Sequence, residues 1–318
     1  MTTTRIGRLT AALLISVLAL GVVALSACGS SDDTAASSSP SAAAAGPITI
    51  TDDAGVEVTL DQPAERIVSL APANTEIAFA VGAGDKVVAG TSYDDYPEEA
   101  KALPKVGDFA NPSVEKIASY EPDLVLAAGG IQDKLRSKLE QLGMTVYVVD
   151  PKSYDAVMTD ITNLGQLTGS TAQAQQVADT MQKAKDDAQA QVASAAKVTT
   201  FLEIYSKPLM TAGGETFIDD MITLAGGTNL GATAGSGFPT FSTEVLFKND
   251  PAVYIADSGS MGEPGDIAKR SGFADLTAVK DGHVYVIDDS IIARPGPRLA
   301  QGLQELVKMI HPEAAAAQ

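Results

Sequence analysis

STAQAQQVADTMQKAKDDAQAQVASAA, residues 170–196, is the stretch on which the reading of this chain turns. Gly169 closes the segment before it, Ser170 is a favoured N-cap residue type, and Gln173 three places on completes a capping-box pattern. No Gly or Pro interrupts the chain from there to Pro208. Val177, Met181, Ala184, Ala188, Val192 and Ala195 recur at spacings of three and four, with Gln, Lys and Asp on the other faces. That spacing predicts one amphipathic helix with a thin, Ala-rich apolar stripe. At 1.5 Å per residue such a helix extends about 38 Å, enough to bridge two lobes; the alternative is a surface helix within one domain.

Outward from this helix, strand and helix patterns alternate on both sides. Before it, residues 48–60 alternate apolar and polar around Asp53-Ala54-Gly55, a hairpin pattern. Residues 66–70, 86–90, 124–127 and 145–149 read as strands, 73–81 as a helix capped by Asn74, and 132–142 as a helix. After it, strands are expected at 199–205, 252–256 and 283–287, and helices at 217–224 and 298–310. One internal echo ties the halves together. Ser113-Val114-Glu115 matches Ser242-Thr243-Glu244 at an offset of 129 residues (115 to 244), Glu121-Pro122 falls on Asp250-Pro251, and 124–127 falls on 253–256. Each copy reads as capped helix, acidic-Pro turn and buried strand. The fold class expected is therefore α/β: two similar lobes with largely parallel central sheets, joined by one long backbone helix.

With 318 residues the chain has room for two core-bearing units. Its 22 basic and 40 acidic residues leave a net charge of −18, a surface that repels phosphate backbones and argues against nucleic acid as a partner. Arg5 and Arg8 precede an apolar run from Leu9 to Leu25 that ends in Leu25-Ser26-Ala27-Cys28. This is a targeting segment. Its ending resembles the bacterial lipobox, which implies removal of 1–27 and acylation of Cys28; a plain signal peptide or a short anchor with a chance Cys is the alternative. Cys28 is the single cysteine, so disulfides and Cys-based metal sites are excluded from the folded part. Residues 28–46, rich in Ser, Ala and Asp, have the composition of a flexible tether.

Neither GxGxxG after a strand nor GxxxxGK[ST] occurs, nor does GxSxG. His283 and His311 are the two histidines; neither has a second His or a Cys at metal-ligand spacing, so no metal site is expected. The positive candidates are polar and aromatic loops at strand ends: residues 91–97 with Tyr93, 106–109 with Phe109, 237–239 with Phe238, and 294–298 with Arg294. Phe109 and Phe238 each stand six residues before the glutamate of their copy, so they either face each other from two lobes or cover their own cores. Glu115 and Glu244, in the first turns of their helices, either serve the helix dipole alone, worth roughly 0.3–1 kcal/mol, or present paired charges to a symmetric partner.

Together these residues resemble the ABC-importer solute-binding proteins whose lobes are joined by a single backbone helix, a class that captures ferric siderophores, haem, cobalamin and certain metal ions. The likeness runs from about 47 to 313. It is carried by Arg66-Ile67-Val68-Ser69-Leu70-Ala71-Pro72-Ala73-Asn74-Thr75-Glu76, Ser92-Tyr93-Asp94-Asp95-Tyr96-Pro97, Asn111-Pro112-Ser113-Val114-Glu115 with Pro122-Asp123-Leu124-Val125, and Arg294-Pro295-Gly296-Pro297-Arg298. Within the class it is most similar to vitamin B12 carriers, through 93–97 and 71–76. The resemblance implies ligand contacts at Tyr93, Phe109, Phe238 and Arg294, with Met210 as a fifth, and permease docking through Glu115 and Glu244. Cobalamin carriers of this type line the cleft with tryptophans, whereas this chain has no Trp; phenylalanines stand at two such positions and Ala128 near a third. The same resemblance points to a monomeric, lipid-anchored receptor on the extracytoplasmic face, without cofactor or catalysis, that hands a metal chelate to an ABC permease. A corrinoid ranks before a ferric siderophore, then haem, for which Tyr93 could ligate iron. A secreted hydrolase is the rival from another class. The expected divisions are 1–27 signal, 28–46 tether, 47–152 first lobe, 153–196 helical segment and 197–318 second lobe.

Overall fold

The computed structural model describes residues 46–316; the expectations for 1–27, for Cys28 and for the tether up to residue 45 lie outside the described residues. The chain opens with an antiparallel hairpin of β1 (Ile48–Thr51) and β2 (Glu57–Leu60). The first lobe follows as β3 (Ile67–Ser69), α1 (Pro72–Ala80), β4 (Val87–Ala89), α2 (Val114–Ser119), β5 (Leu124–Ala128), α3 (Asp133–Gln141) and β6 (Val146–Val149). Then come α4 (Tyr154–Leu167) and α5 (Thr171–Val192). The second lobe contains β7 (Val198–Ser206), β8 (Leu209–Thr211), α6 (Phe217–Leu224), β9 (Gly227–Asn229), α7 (Thr243–Asn249), β10 (Val253–Asp257), α8 (Thr277–Lys280), β11 (Val284–Ile287), α9 (Asp289–Ile292), α10 (Leu299–Ile310) and α11 (Pro312–Ala316).

The first sheet has order β4-β3-β5-β6 and is parallel throughout. The second has order β11-β10-β7-β8, with β9 also beside β7; β7 and β8 form its antiparallel pair. Helices cover both faces, so β5, β6 and β10 are runs of buried residues without polar alternation. The echo is realised in three dimensions. β5 and β10 begin and end 129 residues apart (124 to 253, 128 to 257), and Glu121 and Asp250 are both left-handed, at φ 47 and 43°.

α5 joins the lobes. Gln173 near its start packs over Gly82 of the first lobe, and Val192 at its end lies beside Gly226 of the second. The Ala-rich stripe lets it approach its neighbour closely: Ala174 sits so near Gly165 of α4 that a Cβ there would come within 2.2 Å. Tyr154 of α4 donates its buried hydroxyl to the Met181 carbonyl. The helix differs from expectation at both ends: it stops at Val192, short of 196, and begins at Thr171 without a side-chain cap. The Ser170 side chain makes no capping bond, because its backbone (φ −103, ψ 35) departs from the extended conformation of a capping Ser. Likewise α1 is capped by Ala71, with Pro72 preset for the first helical position, and Asn74 lies inside the helix.

One apolar core runs through both lobes. Ile77, Leu124 and Tyr147, then Ile161 and Leu164 of α4, Met181 and Ala188 of α5, and Met221, Ile255 and Leu303 belong to it. Alternate residues of the same strands, such as Val125 and Val148 or Phe201 and Tyr254, point to a smaller cluster on the other face of each sheet.

Candidate ligand-binding cleft

The carboxyl ends of the parallel strands, where open α/β sheets leave space for a ligand, form one wall of a cleft. Ala71 to Asn74 follow β3, Tyr93 follows β4, Ala128 and Gly129 end β5, and Val149 to Pro151 end β6; Phe217, Phe238 and Ala293 to Pro295 come from the second lobe. The inner chamber encloses about 420 Å³. A neighbouring space of about 810 Å³ shares Phe109, Phe217 and Phe238 with it and is bounded outward by Ile131, Lys152 and Glu215.

Tyr93, Phe109, Phe238 and Arg294 all line the inner chamber. Tyr93 is 59% exposed and Phe238 49%, so neither ring covers the core of its own lobe. Met210 stands apart: it lies half-buried on β8, in register with Tyr205 of β7 and bridged to Thr240 on its other side, and lines neither space.

Each aromatic is held through its loop. The buried Asp94 carboxylate accepts from the Thr75 hydroxyl at 2.7 Å, the Thr91 amide at 3.0 Å and the Thr91 hydroxyl at 2.6 Å, which fixes the turn carrying Tyr93. Gly90 is required there, since a Cβ would stand 2.1 Å from Asp94 Oδ2. The buried Gln132 side chain donates to the Leu70 carbonyl at 2.7 Å and the Phe109 carbonyl at 2.8 Å, and accepts from the Ala128 amide at 2.9 Å. One amide thus ties the Phe109 loop to the ends of β3 and β5. The Phe238 loop is pinned by Gly213 N donating to Gly237 O at 2.8 Å and Thr211 N to Pro239 O at 3.1 Å.

Arg294 is a bridge between lobes. Its Nη1 donates to Asp95 Oδ1 at 2.5 Å and Glu76 Oε1 at 3.0 Å, and its Nη2 to Asp95 Oδ2 at 3.3 Å. Arg298 grips the same Glu76 with Nε at 2.8 Å and Nη2 at 2.6 Å and lies 4.2 Å over the Tyr96 ring. Burial works against the Arg294 charge, but Asp95 and Glu76 outweigh it and raise the guanidinium pKa; the Arg294 bond holds the Asp95 carboxyl below its usual range. The Glu76 side chain is nearly fully buried, and loss of both guanidinium partners would strand its charge, at a cost of about 3–5 kcal/mol.

Glu115 and Glu244 lie outside the cleft lining, exposed in the first turns of α2 and α7. Ser113 and Ser242 cap the two helices, accepting from Lys116 N at 3.3 Å and Val245 N at 3.5 Å. Glu115 is held below the usual carboxylate range by its own backbone amide and the Ser113 hydroxyl. Among the described residues no cluster of His, Cys, Asp and Glu converges as a metal would require.

A family model for periplasmic binding proteins matches residues 67–291. The chain belongs to that family. An uncharacterized ABC transporter substrate-binding lipoprotein of Bacillus subtilis, YvrC, is 34% identical over 306 residues, covering 94% of this chain and 96% of the relative. Among solved structures, the periplasmic vitamin B12 binding protein BtuF of Vibrio cholerae superposes with a TM-score of 0.70 at 30% identity, over 80% of this chain and 99% of its own. The periplasmic heme-binding protein RhuT of Roseiflexus does so with a TM-score of 0.70 at 29% identity, over 79% and 99%. The family is one of transport proteins and not of enzymes, and this member is a solute-binding protein of an ABC importer.

Several residues that build this periplasmic binding protein's cleft escape sequence reading. Asp150 and Phe217 carry no motif; what places them in the wall is their position next to a strand end and a helix start. Gln132 and Asp95 act through contacts 23 to 199 residues away in sequence, which spacing does not reveal.

Proposed function

We propose that this protein is an extracytoplasmic lipoprotein, anchored through Cys28, that captures a metal chelate in its interlobe cleft as a monomer and delivers it to an ABC permease. A corrinoid ranks first and a ferric siderophore second. The observation that carries the reading is the convergence of Tyr93, Phe109, Phe238 and Arg294, from two lobes, on one cavity. Exposed rings can bury the apolar face of a large chelate while polar groups fix its edge. The lobes are assigned to 47–152 and 197–318, with 153–196 between them, and Glu115 and Glu244 are the paired docking charges. Haem ranks third, as the alternative within the class, favoured by the exposed Tyr93 phenol in the cleft and the likeness to RhuT.

Calorimetric titration of the lipid-free protein with cyanocobalamin, a ferric hydroxamate, a ferric catecholate and haem tests this. Saturable binding of the corrinoid is expected. Binding of a siderophore or haem in its place would keep the class and overturn the first choice. Tyr93→Ala and Phe238→Ala are each expected to weaken binding at least tenfold without lowering the melting temperature; unchanged affinity in both would remove the cleft assignment.

A further inference from the structure

The charges around the cleft narrow the class of chelate, on the reading that a chelate is what the cleft holds. Two cations line it, Arg294 and Lys152, and each already has a carboxylate partner within the chain. Arg294 is shared between Asp95 and Glu76. Lys152 Nζ lies 2.6 Å from Oδ2 of Asp150, itself a wall residue. Glu215, exposed on the outer rim, adds another carboxylate. With Arg298 behind Arg294, three cations stand against four carboxylates at the cleft, inside a chain whose net charge is −18. The remaining wall is apolar, formed by Ala71, Pro72, Val149, Pro295 and the phenylalanines. An anion entering there would lose water and meet no unpaired cation.

Besides the Tyr93 hydroxyl, two donor features remain, and all three are uncharged and suit a neutral acceptor. The N-terminal end of α1, residues 71–74, lines the chamber; Ala71 supplies no capping side chain and Pro72 no N–H. A helix end offers about half a charge at most. Beside it, Asn74 is 1% exposed and its Nδ2 has no hydrogen-bond partner. A buried amide donor without a partner is a cost that a ligand carbonyl would relieve.

We infer that the cleft selects a chelate that is neutral or cationic overall, with carbonyl or amide acceptors on its edge. It discriminates against multiply anionic chelates. Corrinoids with uncharged amide side chains and neutral or cationic ferric hydroxamates belong to the accepted class; a ferric tris-catecholate with three negative charges and haem with two carboxylates do not.

The test is a set of calorimetric titrations of the lipid-free protein at low and at moderate salt, with cyanocobalamin, a neutral ferric trihydroxamate, a cationic ferrioxamine, a ferric tris-catecholate and haem as probes. At least one uncharged or cationic probe should bind a hundredfold or more tightly than either anion, and the gap should shrink as salt rises. A catecholate or haem that binds as tightly as the best uncharged probe would overturn the selectivity while leaving a chelate-binding cleft. Silence from every probe would overturn the chelate reading, and the inference with it. Glu215→Gln, at an exposed rim position, should narrow the gap severalfold by favouring the anions; an unchanged ratio counts against the inference, and its thermal melt checks the fold. Asn74→Ala should weaken the best probe at least threefold at unchanged charge selectivity, and an unchanged affinity would remove the acceptor contact.

Discussion

The two echoed segments, 113–128 and 242–257, share a plan and differ in what fastens it. Each has a capping Ser, a first-turn Glu, a left-handed acidic residue, a Pro and a buried parallel strand. In the first lobe the turn is fastened from upstream: Arg66 donates to the Tyr120 and Glu121 carbonyls, and the Asp123 carboxylate accepts the Glu65 and Arg66 amides. In the second, Asp250 itself makes the tie, accepting the Thr277 amide at 2.7 Å and hydroxyl at 2.6 Å. The strands then end differently. Ala128 opens onto the cleft, whereas its counterpart Asp257 is buried with its carboxylate against Ser260 N. The repeated part is the exposed helix start with its glutamate, and the interior has diverged around it.

The sharpest way to break that parallel is on the surface. Glu115→Lys with Glu244→Lys should abolish uptake in a reconstituted importer while ligand affinity stays within twofold, and each single variant should lose part of the rate. A loss of affinity would place the glutamates in the binding site or its fold.

The next effect is pH dependence, present at Asp257 and impossible at Ala128. Burial first, then Asp289 and Glu203, push the Asp257 carboxyl up to about 7 from 3.8. The folded protein therefore binds a proton that the unfolded chain has released, so this contribution is complete below about pH 4 and fades as pH rises towards 7. Asp257→Asn should flatten the fall in melting temperature over that range. A slope towards pH 9 should persist, because burial also raises Asp160 of α4 to about 9.

Smaller effects separate the two turns. Asp250→Gly removes two bonds to Thr277 and should cost about 1–2 kcal/mol in denaturant melts. Glu121→Gly relieves left-handed strain where no side-chain bond is lost and should stabilise by about 0.5–1 kcal/mol. Equal signs would mean the turns are fastened alike. Smallest are the caps: Ser113→Ala should cost up to about 1 kcal/mol and Ser242→Ala less, since Ser113 also donates to Glu115 at 2.9 Å and the Ser242 contact is the longer one.

Local patterns carried most of the fold. The echo placed β5 and β10 to within a residue at each end because cap, turn and buried strand are short-range chemistry. Residues 170–196 read as the connecting helix, although its fully buried stripe includes Ala174 and Ala178 and leaves out Val177, Val192 and Ala195, since contact with α4 and α10 decides which face is covered. The capping roles given to Ser170 and Asn74 failed because backbone angles, and not residue type, decide them. In the cleft, the aromatics were legible as loop residues after strands. Arg294's partners, 199 and 218 residues distant, were not, because ion pairing across lobes has no sequence period.

The apolar core shared by both lobes through α4, α5 and α10 has a practical side for anyone building a biosensor from this scaffold. A domain pair knitted by one interior resists wide swinging on its linker, so fluorophores placed one on each lobe would register little change in separation. A single environment-sensitive dye on the cleft lip, next to Tyr93 or Phe238, would be covered directly by an arriving ligand, and the absence of tryptophan leaves the ultraviolet background low enough to read it.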